Sequence, residues 1–266
     1  MNTLHPLPKD TGSRNFPEVS IRGLRKRFGN DLIYNDFDLD IARNKVTAIF
    51  GPNGCGKSTL LNMIAGLIDY DGGSILFDGR ALKDVALGYV FQNYRDALFP
   101  WLRAVDNIAY PLRLKGLSEA AIKARVDELV SAFDISFDLN RYPYQMSGGQ
   151  QQLVSILRAL APDPEVICLD EPFSALDFEM TLFVREKLQQ LFVQTRKTLI
   201  IVSHDLEEAT WLADHIVLLT RRPTRVAEVV NVTLDRPRDM QTIADPEFVR
   251  IKSHSLDVFQ REVRRV

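Results

Sequence analysis

Long hydrophobic runs are missing: nowhere in its 266 residues does the chain approach the ~18 consecutive apolar positions that a membrane-spanning helix requires. Any membrane role is therefore expected to be peripheral, through a partner. Cysteine is scarce as well. The two present, Cys55 and Cys168, cannot build a disulfide framework and fit a reducing compartment. An excess of one charge sign is also lacking, since the formal net charge is −2, so composition gives no electrostatic footprint for a nucleic-acid partner. No internal repeat or low-complexity tract is visible. The opening stretch, residues 1–17, is polar, carries Pro6, Pro8 and Pro17, and has no apolar run. It is expected to be a loose tail rather than a signal peptide or a spanning helix.

What is present is the patterning of an α/β protein. The run from Val46 to Phe50 is short, apolar and rich in β-formers, and it ends at a glycine loop, as a buried parallel strand does. Leu60, Leu61, Ile64, Ala65 and Leu67 then recur at helical spacing up to a break at Gly72-Gly73. Residues 74–77 and 89–91 read as strands, the first closed by an Asp78-Gly79 turn and the second stopping at Gln92. From about residue 93 to 163 the pattern turns helical. Ile122, Val126, Leu129, Val130 and Phe133 share one face after Ser118 as N-cap, and a second helix is expected from Gly148 to Leu160, stopped by Pro162 and Pro164. Strands return at 166–169, 199–202 and 216–219, and residues 257–263 read as a terminal helix. Alternating strands and helices argue for a parallel sheet interrupted by a helical insert.

Three segments carry chemistry. Gly51, Pro52, Asn53, Gly54, Cys55, Gly56, Lys57 and Ser58 fit the G-x-x-x-x-G-K-[ST] pattern between a strand and a helix, with Thr59 following. Their backbone N–H groups and the helix dipole suit a polyphosphate. Lys57 would reach the β- and γ-phosphates, and Ser58 would give an oxygen to Mg²⁺. Asp170 and Glu171 follow an apolar strand; such a pair is ordinarily a solvated strand end, but the phosphate loop upstream reverses that weighting. Asp170 then suits the Mg²⁺ shell and Glu171 the activation of the attacking water. Met146-Ser147-Gly148-Gly149-Gln150 opens a helix with two glycines and a serine, a second anion site. Two such helix starts could bind two nucleotides or share one with a neighbouring copy.

At these residues the chain resembles the ABC transporter ATPase family, over roughly residues 18–235. Met146 to Gln150 is similar to its signature motif, Lys57 and Ser58 match its Walker A loop, and Asp170 with Glu171 matches Walker B and the catalytic glutamate. Gln92 stands at its Q-loop, Asp177 at the end of its D-loop, and His204 at its switch histidine. Phe28 stands where an aromatic ring stacks on adenine. The resemblance implies a P-loop NTPase core of RecA-like type, with an antiparallel β edge and a helical signature subdomain. Its divisions are a tail at 1–17, a nucleotide-binding core at 18–92 and 164–240, a helical subdomain at 93–163 and a C-terminal helical tail at 241–266. It implies ATP and Mg²⁺ as cofactors, with Ser58, Gln92 and Asp170 at the metal and Glu171, His204, Gln92 and Lys57 in catalysis.

The resemblance also implies a head-to-tail homodimer, in which each triphosphate touches Lys57 and His204 of one copy and Ser147 and Gly149 of the other. Integral-membrane permease subunits and an extracytoplasmic substrate-binding protein complete the implied assembly, at the cytoplasmic face of the inner membrane and with no nucleic acid. The wording of Leu98 to Leu102, Thr220 to Arg225 and Leu234 to Arg238 is similar to the nitrate, sulfonate and taurine importer branch, which also handles pyrimidine precursors. The segment at 98–102 could equally be core of the insert, and Arg221, Arg222 and Arg225 a solvated basic loop. The tail after residue 240 is expected to be too short for the added domain of some sugar importers. Exporters and lipid-trafficking motors share the same catalytic motifs. Non-transport relatives usually carry two cassettes or long coiled-coil insertions, which this sequence does not display.

Departures from the pattern matter too. Met146 replaces the usual leucine, a volume-conserving change, while Leu153 stands at a common arginine and Leu157 at a frequent alanine. Loss of that arginine removes an ion pair expected to anchor the signature helix, so hydrolysis is expected to be slower or more partner-dependent. Leu153→Arg should therefore raise basal ATP turnover; equal turnover of the two proteins would remove the expectation.

Overall fold

The structure, a computed structural model, describes residues 16–93, 97–174 and 176–264. The tail assigned to residues 1–17 lies outside the described residues except for Phe16 and Pro17, and so does Ala175 of the 174–177 stretch. Phe16 is packed rather than loose: its N–H donates to Asn44 Oδ1 at 2.8 Å, and the Lys197 ammonium lies 4.8 Å from its ring centre. No helix among the described residues is long and apolar enough to cross a membrane.

Two sheets form the frame. Strands β1 (Val19–Phe28), β2 (Asp31–Ile41) and β4 (Gly72–Phe77) make a three-stranded antiparallel sheet in the order β2-β1-β4. The larger sheet has six strands in the order β5-β6-β7-β3-β8-β9. Its members are β3 (Val46–Phe50), β5 (Leu87–Val90), β6 (Val166–Asp170), β7 (Thr198–Val202), β8 (His215–Leu219) and β9 (Val226–Asn231). All its pairs are parallel except the β8–β9 edge.

The central strands read as unbroken apolar runs because both of their faces are covered. Alternate residues go to opposite layers. Val46, Ala48, Phe50, Ile167, Leu169, Leu199 and Ile201 join the core shared with the large helices, whereas Ile49, Val166, Cys168, Ile200 and Val202 join the core beneath the small sheet. Helix α1 (Lys57–Ile64) fills that second core with Leu60, Leu61, Met63 and Ile64. On the other side lie α2 (Ala104–Leu114), α3 (Glu119–Ala132), α4 (Gly148–Leu160), α5 (Phe178–Thr195), α6 (Leu206–Leu212) and α7 (Pro246–Arg264).

Several expected elements have different bounds. Helix α1 ends at Ile64 instead of running to Gly72-Gly73: Gly66 takes φ 66°, which is open to glycine, and Leu67 N–H closes back on Asn62 O at 2.8 Å. Gly72 opens β4 rather than breaking a helix. β5 ends at Val90, short of Phe91, because its ladder with β6 runs from Leu87–Val166 to Val90–Leu169. The expected terminal helix is the last part of a longer one, α7. Helices α2, α5 and α6 and strands β1, β2 and β9 were not singled out by periodicity. Helices α3 and α4 start where their caps require, with Ser118 Oγ accepting from Ala121 N–H and Ser147 Oγ from Gln150 N–H, both at 3.3 Å.

Leu169, 1% exposed, is the last apolar residue of β6 before the carboxylates. Leu169→Ala should lower unfolding stability by about 2–5 kcal/mol, measured by urea denaturation; a loss below about 1 kcal/mol would mean the two cores do not bear on this strand.

Candidate active site

Parallel pairing fixes where the chemistry can happen. Ile49 of β3 and Asp170 of β6 both pair with Val202 of β7, so the loops leaving these strands emerge along one rim, the usual ligand edge of a parallel sheet. Those loops begin with Gly51, Glu171 and Ser203.

The loop from Gly51 to Gly56 wraps back on itself. Cys55 N–H donates to Pro52 O at 3.1 Å, and Lys57 Nζ donates to Gly51 O at 2.9 Å and Pro52 O at 3.2 Å. Lys57 is thus held over the loop although it is only 6% exposed. Gly56 caps α1 at φ 116°, and a Cβ there would stand 2.6 Å from Ile33 Cγ2. Neither the backbone angle nor the space admits a side chain. Tyr34 Oη donates to Gly56 O at 3.0 Å, tying the loop to the small sheet. Asn53 and Gly54 are exposed, and Thr59 lies in the first turn of α1.

Below the loop, Ser58 Oγ donates to Asp170 Oδ1 at 3.0 Å. Tyr89 Oη donates to Asn62 Oδ1 at 2.6 Å and stands 3.4 Å from Asp170 Oδ2. Burial raises the Asp170 pKa above the usual carboxylate value; the Ser58 hydrogen bond opposes that rise and the adjacent Glu171 charge adds to it. The Ser58–Asp170 pair is thus an all-oxygen set with one carboxylate and one hydroxyl. No group of three or more His, Cys, Asp or Glu residues placed to hold a metal occurs among the described residues. A hydroxyl and a single carboxylate fit Mg²⁺ shared with substrate phosphates better than a cation caged by protein alone.

Glu171 is the meeting point. Its backbone sits at φ 44°, unusual for a side-chain-bearing residue, and its N–H donates to Val202 O at 3.0 Å. Its Oε2 accepts from Gln92 Nε2 at 2.8 Å and lies 3.3 Å from His204 Nδ1. Gln92 was expected in the metal shell as well as in catalysis; here its amide is turned to Glu171.

The remaining expected residues lie elsewhere. Ser147 and Gln150 form a reciprocal cap on α4, with Ser147 N–H donating to Gln150 Oε1 at 3.1 Å, and a Cβ on Gly149 would meet Met180 Cγ at 2.7 Å. Gly148 begins α4. Asp177 caps α5, its Oδ1 accepting from Met180 N–H at 2.8 Å. Phe28 ends β1, half exposed, with the Lys26 ammonium 4.8 Å from its ring centre.

A cavity of about 910 Å³ opens against the loop, lined by Phe50, Gly51 to Cys55, His204, Arg221, Arg222, Phe259 and Val263. Ser147 to Gln150 line no part of it. Arg221 and Arg222, for which a solvated basic loop was one of two readings, and the ring of Phe259 from α7 therefore border the phosphate loop. Periodicity within one segment carries no signal for such a meeting. Tyr89 was likewise read only as part of a strand.

Leu153 is buried, beside a cavity of about 310 Å³ that it lines with Phe137, Asp177, Glu179, Met180 and Phe183. Apolar packing takes the place of the expected ion pair, and Gln152 Nε2, donating to Pro172 O at 2.8 Å, ties α4 to the segment after Glu171.

A phosphate loop at the end of a parallel strand, a hydroxyl–carboxylate pair beneath it and a second capped glycine loop on a helical insert define a P-loop ATPase cassette. The family description "ABC transporter" matches residues 34–174. An uncharacterised ABC transporter ATP-binding protein of Methanocaldococcus jannaschii is 37% identical over 86% of this chain and 85% of its own. An aliphatic sulfonates import ATP-binding protein of Bacillus licheniformis is 37% identical over 91% of this chain and 94% of its own. A sulfate/thiosulfate import ATP-binding protein of Burkholderia mallei is 39% identical over 83% of this chain, which spans 65% of that protein's length. Among solved structures, a dimeric ATP-binding cassette in a post-hydrolysis state with ADP and Pi superposes with a TM-score of 0.71 at 28% identity, covering 82% of this chain and 100% of that one. The chain belongs to the ABC transporter family, as an ATP-binding cassette.

A cysteine in a phosphate loop near a helix start is either a small residue that merely fits or an activated thiol. The structure overturns the second alternative: Cys55 is 2% exposed, and burial raises its thiol pKa despite the opposing charge of Lys57. A raised pKa leaves the protonated, unreactive form dominant at neutral pH, with thiolate gained only as pH rises. Iodoacetamide should therefore label native Cys55 at pH 7 at least about tenfold more slowly than the unfolded chain; equal rates, read by mass spectrometry, would contradict this.

Proposed function

We propose that this chain is the nucleotide-hydrolysing subunit of an importer for a small anion of the sulfonate, nitrate or taurine type, or for a pyrimidine precursor. The observation that carries the hydrolytic part is the convergence of Gln92 and His204 on the Glu171 carboxylate, next to a loop already folded around Lys57. In this reading Glu171 orients and activates the attacking water, and Gln92 and His204 hold its carboxylate in place. Lys57 leaves the Gly51 and Pro52 carbonyls for the β- and γ-phosphates, while the loop N–H groups bind their oxygens. Ser58 and Asp170 would hold Mg²⁺, which when bound offsets phosphate charge. Phe28 is assigned to stack on the adenine, its half-exposed ring offering an aromatic face.

Ser147 and Gly149 are assigned to the triphosphate of a second copy. Support comes from their absence at the cavity beside their own phosphate loop and from the dimeric state of the solved relative. A head-to-tail homodimer then completes each site only on closure, with Asp177 near the joint.

The importer assignment is supported by relatives named for import of aliphatic sulfonates and of sulfate or thiosulfate. A further relative, of Haemophilus influenzae and 39% identical, is named for spermidine/putrescine import, so the small-anion choice leans on the wording around residues 98–102 and 220–225. Trp101, 70% exposed, stands on a turn that Asn107 fixes by bonding to Phe99, Leu102 and Arg103. This rigid turn bearing an exposed aromatic suits a permease helix. The chain would work peripherally at the cytoplasmic face of the inner membrane, with permease subunits and a substrate-binding protein.

Glu171→Gln should give a dimer that persists in ATP, with turnover lowered at least about a hundredfold, read by size-exclusion chromatography and phosphate release; normal turnover would remove Glu171 from its role. Lys57→Ala should lose ATP binding or hydrolysis. Copurification of a permease from membranes, followed by uptake assays with sulfonates, nitrate and pyrimidine precursors, tests the cargo; uptake of none of them would overturn the small-solute assignment.

A further inference from the structure

Behind His204 runs a buried polar chain that the roles above leave unused. Ser203, 1% exposed, begins the segment after β7, and its hydroxyl donates to Glu208 Oε2 at 2.8 Å, with Asp205 O a second acceptor at 3.1 Å, while accepting from Asp205 N–H at 3.0 Å. These bonds bracket His204 on its own backbone. Glu208 lies in the first turn of α6, and its other oxygen, Oε1, accepts from Arg185 Nη2 at 2.8 Å. The side chains of this ion pair are only 8% and 11% exposed. Arg185 comes from α5, and its guanidinium lies 5.6 Å from the Phe173 ring centre and 5.5 Å from that of Trp211. Phe173 stands two residues after Glu171 in the chain.

Helix α6 is also fixed at its far end. Arg238 Nη1 donates to the carbonyls of Thr210, Trp211 and Ala213 at 3.1, 3.1 and 2.6 Å, and Gln189 Nε2 of α5 donates to Trp211 O at 3.2 Å. The short helix that follows His204 is therefore clamped by α5 and by the segment after β9. An ion pair taken out of water is held at the cost of desolvation, and apolar packing would join two helices at least as well. What apolar packing cannot supply is an acceptor: the Glu208 carboxylate offers the Ser203 hydroxyl its shorter partner, at 2.8 Å against 3.1 Å to Asp205 O.

We infer that the chain Arg185–Glu208–Ser203 is a positioning device that sets His204 against the Glu171 carboxylate and ties its position to α5, the helix that begins after Asp177. The inference rests on the catalytic reading of Glu171 and His204 given above. Arg185, Glu208 and Ser203 touch no reacting group. They act through His204, so a movement of α5 at its Asp177 end reaches the histidine through one ion pair and one hydroxyl.

ATP turnover of the full chain tests this, with kcat, KM for ATP and melting temperature measured for Ser203→Ala, Ser203→Thr, His204→Ala and the Ser203→Ala/His204→Ala pair. Ser203→Ala should lower kcat about tenfold and leave KM within about twofold, because a misplaced catalytic group affects the transition state more than binding. Ser203→Thr, which keeps the hydroxyl, should restore turnover. On the His204→Ala background, Ser203→Ala should cause no further loss, since the device has nothing left to position. Wild-type kcat in Ser203→Ala, or losses that multiply in the pair, would overturn the inference. A silent Ser203→Ala beside a crippled His204→Ala removes the inference alone. Wild-type turnover in His204→Ala removes the reading of the site and the inference with it.

Discussion

The parallel ladder that joins β3, β7 and β6 decides most of what this molecule can do. Val202 pairs with Ile49 on one side and Asp170 on the other, which levels the ends of three strands far apart in sequence. A slip of one residue in either ladder would turn every side chain of that strand to the opposite core. Such a slip is prevented because both faces are committed, with alternate residues packed against the large helices or against α1 and the small sheet. The hydrophobic cores thus do more than stabilise: they fix the register on which the distances at Asp170, Glu171 and His204 depend.

Within that frame the site is built from polar groups that hold one another before any nucleotide arrives. Lys57 is bonded to loop carbonyls, Ser58 to Asp170, and Gln92 to Glu171. Lys57 and Asp170 are buried, and leaving them unpaired would be costly, so each has a hydrogen-bond partner. The raised pKa of Asp170 marks the same condition, a carboxylate kept from water beside a second negative charge.

The sequence made legible what is local. The phosphate loop, the cap at Ser118, the span of α4 and the strand before Asp170 all follow from patterns within a few residues, and the structure has them in place. Features that need distant segments to meet were not legible. The small antiparallel sheet came only from resemblance, since β1 and β2 carry bulges that blur their alternation. The length of α7 was underestimated because its buried residues, Phe248, Ile251, Ser255 and Val258, include a serine where the apolar stripe should continue. Arg221, Arg222 and Phe259 reach the nucleotide loop from beyond β8, and Tyr89 reaches Asp170 across a strand, by folds of the chain that no window of sequence contains. Cys55 shows burial deciding between two readings, a small residue that fits and an activated thiol: desolvation raises its pKa despite the opposing Lys57 charge.

The reciprocal cap at Ser147 has a bearing on how its variants can be interpreted. Ser147 Oγ serves Gln150 as an acceptor, which uses a lone pair and leaves the hydroxyl proton able to point outward. Capping the helix and the donation proposed for it toward a second copy's anion are therefore compatible duties of one oxygen. An alanine there would abolish both at once, confusing a frayed helix with a lost intersubunit grip. Threonine retains the hydroxyl for both, so a defect it produces reports on the space around its added methyl group.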